Sequence, residues 1–186
     1  MPNINGIKKT MGKQGMPADL ISQFHEPANA LRPEAIVEFI NQMDTLLSKE
    51  QILLIMQEQG CSKSDKVAKP FREFARVHAD KTTEEKINLM AELDSPHKAP
   101  CHLNQDGTLS IYWGTGEEGK YQCVCSKNPK TPEPVSLTFC GCCGGHVRFT
   151  YQHALGVNLR LKKIVSSPIN SRGKKRCEFL FKIEKK

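Results

Sequence analysis

Cys177-Glu178-Phe179-Leu180-Phe181-Lys182-Ile183 decides the fold class. Cys177, Phe179, Phe181 and Ile183 fall on every second position, the period of a strand with one buried face. Val157, Leu159 and Leu161 alternate in the same way with Asn158, Arg160 and Lys162, so two strands of a hairpin are expected near the end of the chain. Working back, Leu109, Ile111 and Trp113 alternate with polar neighbours, and Thr115-Gly116-Glu117-Glu118-Gly119 is turn chemistry. Tyr121, Cys123 and Cys125 then share one face of a second strand, which predicts a first hairpin. Between the hairpins lie a loop with Pro129, Pro132 and Pro134, the segment Val135 to Phe139, a cysteine-glycine run, and a short helix around His146 to Leu155 stopped by Gly156.

Before Ser95-Pro96 the period is helical. Ile36, Phe39, Ile40, Met43, Leu46 and Leu47 recur every three or four places, with Pro33 suited to a first turn. Ser48 with Gln51 forms a capping box ahead of Ile52 to Met56, and Gly60 stands where that helix ends. Asp65 to His78 is expected to be helical across Pro70, with Phe71, Phe74 and Val77 facing inward, and Thr82 with Glu85 caps a fourth helix ending near Leu93. The expectation is therefore an α+β fold. Helices in 1–96 pack on a mostly antiparallel sheet of β-β-α-β-β order in 97–186, as one compact unit.

Composition bounds the function. At 186 residues the chain can bury a core without cross-links, and no apolar run approaches the roughly 18 residues of a membrane span. The first residues lack the apolar centre of a secretory signal, so a cytoplasmic protein is expected. A net charge of +7 suits nucleic acid or an anionic metabolite, but no aromatic residues interleave with Lys174-Lys175-Arg176 and Arg172. A solvated face is the reading of that patch, and nucleic acid is not the expected partner.

Eight cysteines say more. In a reducing compartment a cluster of thiols points to metal binding or thiol chemistry before disulfides. Five of them lie between Cys123 and Cys143, and Phe139-Cys140-Gly141-Cys142-Cys143-Gly144-Gly145-His146 is the most specific run. If a helix begins near Cys142, then Cys142 and Cys143 stand four and three places before His146, on one face. Cys140, Cys142, Cys143 and His146 form a candidate zinc pool with a fourth ligand from the first hairpin. Cys125 is preferred for it. Cys123 and Cys125 cannot both serve one ion, because alternate strand residues stand about 6.6 Å apart whereas thiolates on one zinc lie about 3.8 Å apart. The same helix start would lower a Cys142 or Cys143 pKa, and the amides of Gly144 and Gly145 are candidate holders of a ligand's carboxylate or phosphate. Metal binding, thiol reactivity and plain packing all stay open for these residues.

Other candidates are weaker. Cys177 reads as a core residue and Cys61 as a surface or packing thiol, while Cys101 or His102 could add an outside ligand. His25, His78, His97 and His153 have no partner in their local sequence.

From about Cys101 to Lys186 the chain resembles the bacterial domains grouped with the 4-vinyl-reductase domain, a superfamily with heme nitric-oxide-binding domains and relatives of L-2-amino-thiazoline-4-carboxylate hydrolase. The likeness rests on the Cys140 to His146 run before a helix, on Leu155-Gly156 closing that helix, and on the final Cys177-Glu178-Phe179-Leu180-Phe181. The resemblance implies a sensor-like, small-molecule-binding fold with a pocket between sheet and helices, and it does not imply heme. A cytoplasmic small-molecule or metal-binding protein of sensor type is thus expected, with zinc as the candidate metal. The alternative is an enzyme, hydrolase or thiol-dependent, using a Cys142 or Cys143 thiolate. A small-molecule ligand is the expected partner, and a homo-oligomer is left open.

Overall fold

A computed structural model describes residues 3–27, 33–125 and 135–184. The proline-bearing loop expected between the hairpins lies outside the described residues.

The fold is mixed α+β, with helices on one face of a four-stranded antiparallel sheet. Helix α1 (Ile4–Lys13) adds to the four helices expected; Asn3 accepts from the Gly6 amide at its start, and Ile4, Ile7 and Met11 make its buried stripe. A short α2 (Ala18–Ser22) follows, then α3 (Pro33–Leu46). Helix α4 (Lys49–Met56) opens on the Ser48–Gln51 capping box, with both reciprocal hydrogen bonds present. Helix α5 (Asp65–Val77) runs through Pro70 and buries Val67, Ala68, Phe71 and Phe74. Val77, expected inside, is 58% exposed. It stands in the helix's last turn, and there Phe74 packs instead against His78, with ring centroids 4.5 Å apart. Helix α6 (Thr83–Leu89) has the Thr82–Glu85 capping box and ends in a 3₁₀ turn, Met90–Glu92.

The strands are β1 (Cys101–Leu103), β2 (Thr108–Trp113), β3 (Asn158–Ser166) and β4 (Cys177–Glu184), in the sheet order β1-β2-β4-β3. The expected first hairpin is therefore corrected. Among the described residues Tyr121 to Cys125 forms no strand: it makes an isolated bridge, Gln122 with Thr115, and the Tyr121 amide donates to the Gly173 carbonyl. Both edges of β2 are already occupied, by β1 and by β4, which leaves no ladder for it to join. Cross-strand rows such as Leu161–Phe181–Leu109 and Ile164–Phe179–Ile111 put the apolar set on the inner face. Strand β3 is an edge whose backbone is closed by helix side chains: Gln152 accepts from the Leu159 amide, Gln57 accepts from the Leu161 amide, and Arg148 donates to the Leu159 carbonyl.

Helix α7 (Gly141–Leu155) lies on that inner face, with α4 and α5 against it. Its buried positions go around the whole cylinder, so it is a central helix rather than an amphipathic one. It starts five residues earlier than His146, where a 3₁₀ turn at Leu137–Cys140 leads straight into it. Glycine costs a helix about 1 kcal/mol per position, which hides this first turn from sequence reading. Packing outweighs the cost: a Cβ on Gly145 would stand 1.8 Å from the Gln59 carbonyl oxygen, and one on Gly141 2.5 Å from Met56 Cβ. Gly156 closes the helix with a left-handed φ of 72°. The short helix α8 (Pro168–Ser171), capped by Ser167, joins β3 to β4.

Candidate functional site

The segment after α4 is fastened onto the start of α7. Gln57 reaches β3, Glu58 pairs with Arg148 at 2.8 Å, and the Ser62 carbonyl meets His146 Nδ1 at 2.8 Å. Glycine at 145 lets the two backbones close to contact. The result is that Cys61, exposed on this segment, faces Cys142, which is buried in the first turn of α7.

The Cys142 thiol donates toward the Cys61 sulfur. That hydrogen bond is the chief reason the Cys61 thiol is held well below the ordinary value of 9.0, and the same interaction, followed by burial, pushes Cys142 well above it. The exposed thiol of the pair is thus the more acidic one, and the other is its buried proton donor.

His146 lies one turn beyond Cys142. A carbonyl can only accept, so the Ser62 contact places the proton on Nδ1 and leaves Nε2 bare. That Nε2 is the one buried side-chain nitrogen or oxygen among the described residues without a hydrogen-bond partner. The ring is walled by His97 and Trp113, with centroids at 5.2 and 5.3 Å, and burial holds its pKa below the usual histidine value. His146 is therefore neutral at neutral pH.

The expected zinc pool divides in two. Cys142 and His146 share the face toward Cys61, whereas Cys140 and Cys143 have Cys123, Cys125 and Cys177 as their sulfur neighbours. Among the described residues no group of three or more His, Cys, Asp or Glu side chains is placed to hold one metal ion. An α-helix turns about 100° per residue, so Cys142 is turned toward Cys61 and away from Cys143, which stays on the side of Cys140 in the preceding 3₁₀ turn. Burial, with the neighbouring sulfurs, raises Cys140 to about 12 and pushes Cys143, Cys123 and Cys177 up too. Where a lowered thiol was expected at Cys142 or Cys143, the electrostatics lower Cys61 and raise those two.

Gly144 and Gly145 are also corrected. They lie inside α7, where their amides belong to helical hydrogen bonds, and their lack of a side chain serves close approach to Phe179, Leu161 and the Gln59 backbone. Cys101 sits beside Tyr151 and is raised to about 11, chiefly by burial, and His102 stacks on Tyr112 on the open face of the sheet. Neither is near Cys142. Sequence reading gave Cys61, His97 and Trp113 no part in the site. The one available signal was the four-residue spacing of Gly141 and Gly145, which marks a helix face that another backbone touches.

Comparison with known proteins yields no matching family model, no matching curated protein and no matching solved structure.

Proposed function

We propose that this is a thiol-reactive protein of sensor type, in which Cys61 attacks and Cys142 resolves. The observation that supports it is the pairing of an exposed thiol with a buried one across two separate chain segments. With a hydroperoxide the Cys61 thiolate attacks the terminal oxygen; an S–O bond forms, the O–O bond breaks, and the leaving alkoxide or hydroxide takes a proton from water. The Cys142 sulfur then attacks the Cys61 sulfur. The S–S bond forms, the S–O bond breaks, and the Cys142 proton leaves with the hydroxyl as water. The peroxide gains two electrons and the two thiols supply them. The bridge would pin the segment after α4 to the first turn of α7, which converts an oxidation event into a constraint on packing. The sensor-like resemblance of the C-terminal half favours the same class of protein. A zinc role for Cys125, Cys140, Cys142, Cys143 and His146 has less support, because Cys142 and His146 face Cys61 whereas Cys125, Cys140 and Cys143 neighbour one another elsewhere.

Alkylation of the native protein with iodoacetamide across pH, mapped by mass spectrometry, tests this. Cys61 is expected to react first, with a midpoint well below that of an ordinary thiol, and Cys142→Ala is expected to move that midpoint upward by removing the donor. Equimolar hydrogen peroxide is expected to give a Cys61–Cys142 disulfide that dithiothreitol reverses. A Cys61 midpoint unchanged by Cys142→Ala, or oxidation without that disulfide, would overturn the reading.

A further inference from the structure

A groove of about 320 Å³ runs between α4 and the β3 edge, lined by Glu50, Leu53, Leu54, Arg160, Leu161 and Lys162, with Lys182 of the neighbouring strand β4 at its mouth. Its chemistry is divided. Leu53 and Leu54 are half-buried on the outer side of α4 and, with Leu161, give an apolar floor. Three cations stand over it against one carboxylate of the lining, and that carboxylate, Glu50, is held by Arg160 at 2.6 Å. Lys162 approaches only Asp106, at 4.0 Å, which is the limit of an ion pair. Lys182 makes no side-chain hydrogen bond or ion pair among the described residues.

We propose that this groove binds a small anionic amphiphile, its aliphatic body on Leu53, Leu54 and Leu161 and its head group between Lys162 and Lys182. The volume falls at the lower end of small-molecule pockets, which pair an apolar lining with a few converging polar groups. Each element of the ligand answers something present. An apolar molecule without a head group would leave Lys182 unanswered and Lys162 with only its 4.0 Å contact to Asp106. A bare inorganic anion would leave the leucines in water. No aromatic ring lines the groove, so it lacks the stacking platform of a nucleic-acid site. The site is separate from the thiol pair and does not depend on it.

Titration of the full chain with decanoate, decanol and inorganic phosphate, followed by ¹⁵N-edited NMR, tests the proposal. Decanoate is expected to saturate below its micellar concentration, with shifts centred on residues 50–54, 160–162 and 182. Decanol is expected to bind more weakly, and phosphate to compete poorly. The double substitution Lys162→Gln, Lys182→Gln is expected to weaken decanoate by about threefold to tenfold, the range of two exposed charge contacts, and Leu54→Gln to weaken decanoate and decanol alike. Decanol binding as tightly as decanoate would overturn the head-group assignment. Phosphate competing on equal terms would overturn the apolar floor, and shifts centred elsewhere, or no saturation, would overturn the site itself.

Discussion

Gly145→Ala puts a methyl group where the backbone of the segment after α4 already stands. The added Cβ would lie 1.8 Å from the Gln59 carbonyl oxygen and 2.8 Å from that of Gln57. Real Cβ atoms keep at least 3.0 Å, so α7 and this segment must part by at least 1.2 Å. Neither is free to move, since Leu161 N–H to Gln57, Arg148 to Glu58 and His146 to Ser62 span the same joint at 2.8–3.0 Å. Overpacking of this kind costs about 1–3 kcal/mol, and straining a buried hydrogen bond such as that of Leu161 costs about 1–3 kcal/mol more. Alanine's better helix propensity returns about 1 kcal/mol. The net loss is about 1–5 kcal/mol, and at about 2–4 °C per kcal/mol for a chain of this size Tm falls by about 2–20 °C. Differential scanning calorimetry measures it, with two controls. Gly144→Ala meets only the Phe179 and Leu161 side chains at 3.2–3.4 Å and is expected to be near neutral. Gly12→Ala on α1 meets nothing within 4 Å and is expected to gain about 1 kcal/mol. Because the displaced segment carries Cys61, Gly145→Ala is also expected to raise the pH at which that thiol alkylates. A Gly145→Ala protein as stable as the wild type, with unchanged Cys61 reactivity, would refute the packing of this segment on α7.

Two further predictions concern stability. The buried Tyr151 hydroxyl accepts from the Ala99 amide and donates to the Ala99 carbonyl, so Tyr151→Phe leaves two buried backbone groups unpaired and is expected to cost about 1–3 kcal/mol in urea unfolding; no loss would show that water replaces the hydroxyl. Cys101 is raised to about 11 and Cys140 to about 12 from 9.0 by burial, so above pH 9 the unfolded chain releases protons that the folded chain keeps. Each such thiol then lowers stability by up to about 1.4 kcal/mol per pH unit between 9 and its folded value, and Tm measured from pH 8 to 11 is expected to fall, less steeply in Cys140→Ala. A Tm independent of pH across that range would mean these thiols are hydrated in the folded state.

The sequence by itself determined what rests on local physics. Period-two runs at Leu109 to Trp113, Leu159 to Leu161 and Cys177 to Ile183 mark three of the four strands, because alternation is a property of the strand itself. The capping boxes at Ser48 and Thr82 fix two helix starts for the same reason, since a hydroxyl and the amide three residues on find each other without help from the rest of the chain. The tertiary structure decided the rest. Tyr121 to Cys125 has the alternation of a strand and is not one, because both edges of β2 are taken. Gly141, Gly144 and Gly145 look like a turn in sequence and are helical, because the Gln57 and Gln59 carbonyls at Gly145, and the Met56, Phe179 and Leu161 side chains at the other two, fill the space their side chains would occupy. The pairing of Cys61 with Cys142 was the least legible part. Cys142 was marked by its neighbours, but its partner Cys61 stands 81 residues away, and a contact of that span follows only from how α4 and its trailing segment dock on α7. Spacing reports which side chains share a helix face; which foreign chain covers that face is fixed by packing alone.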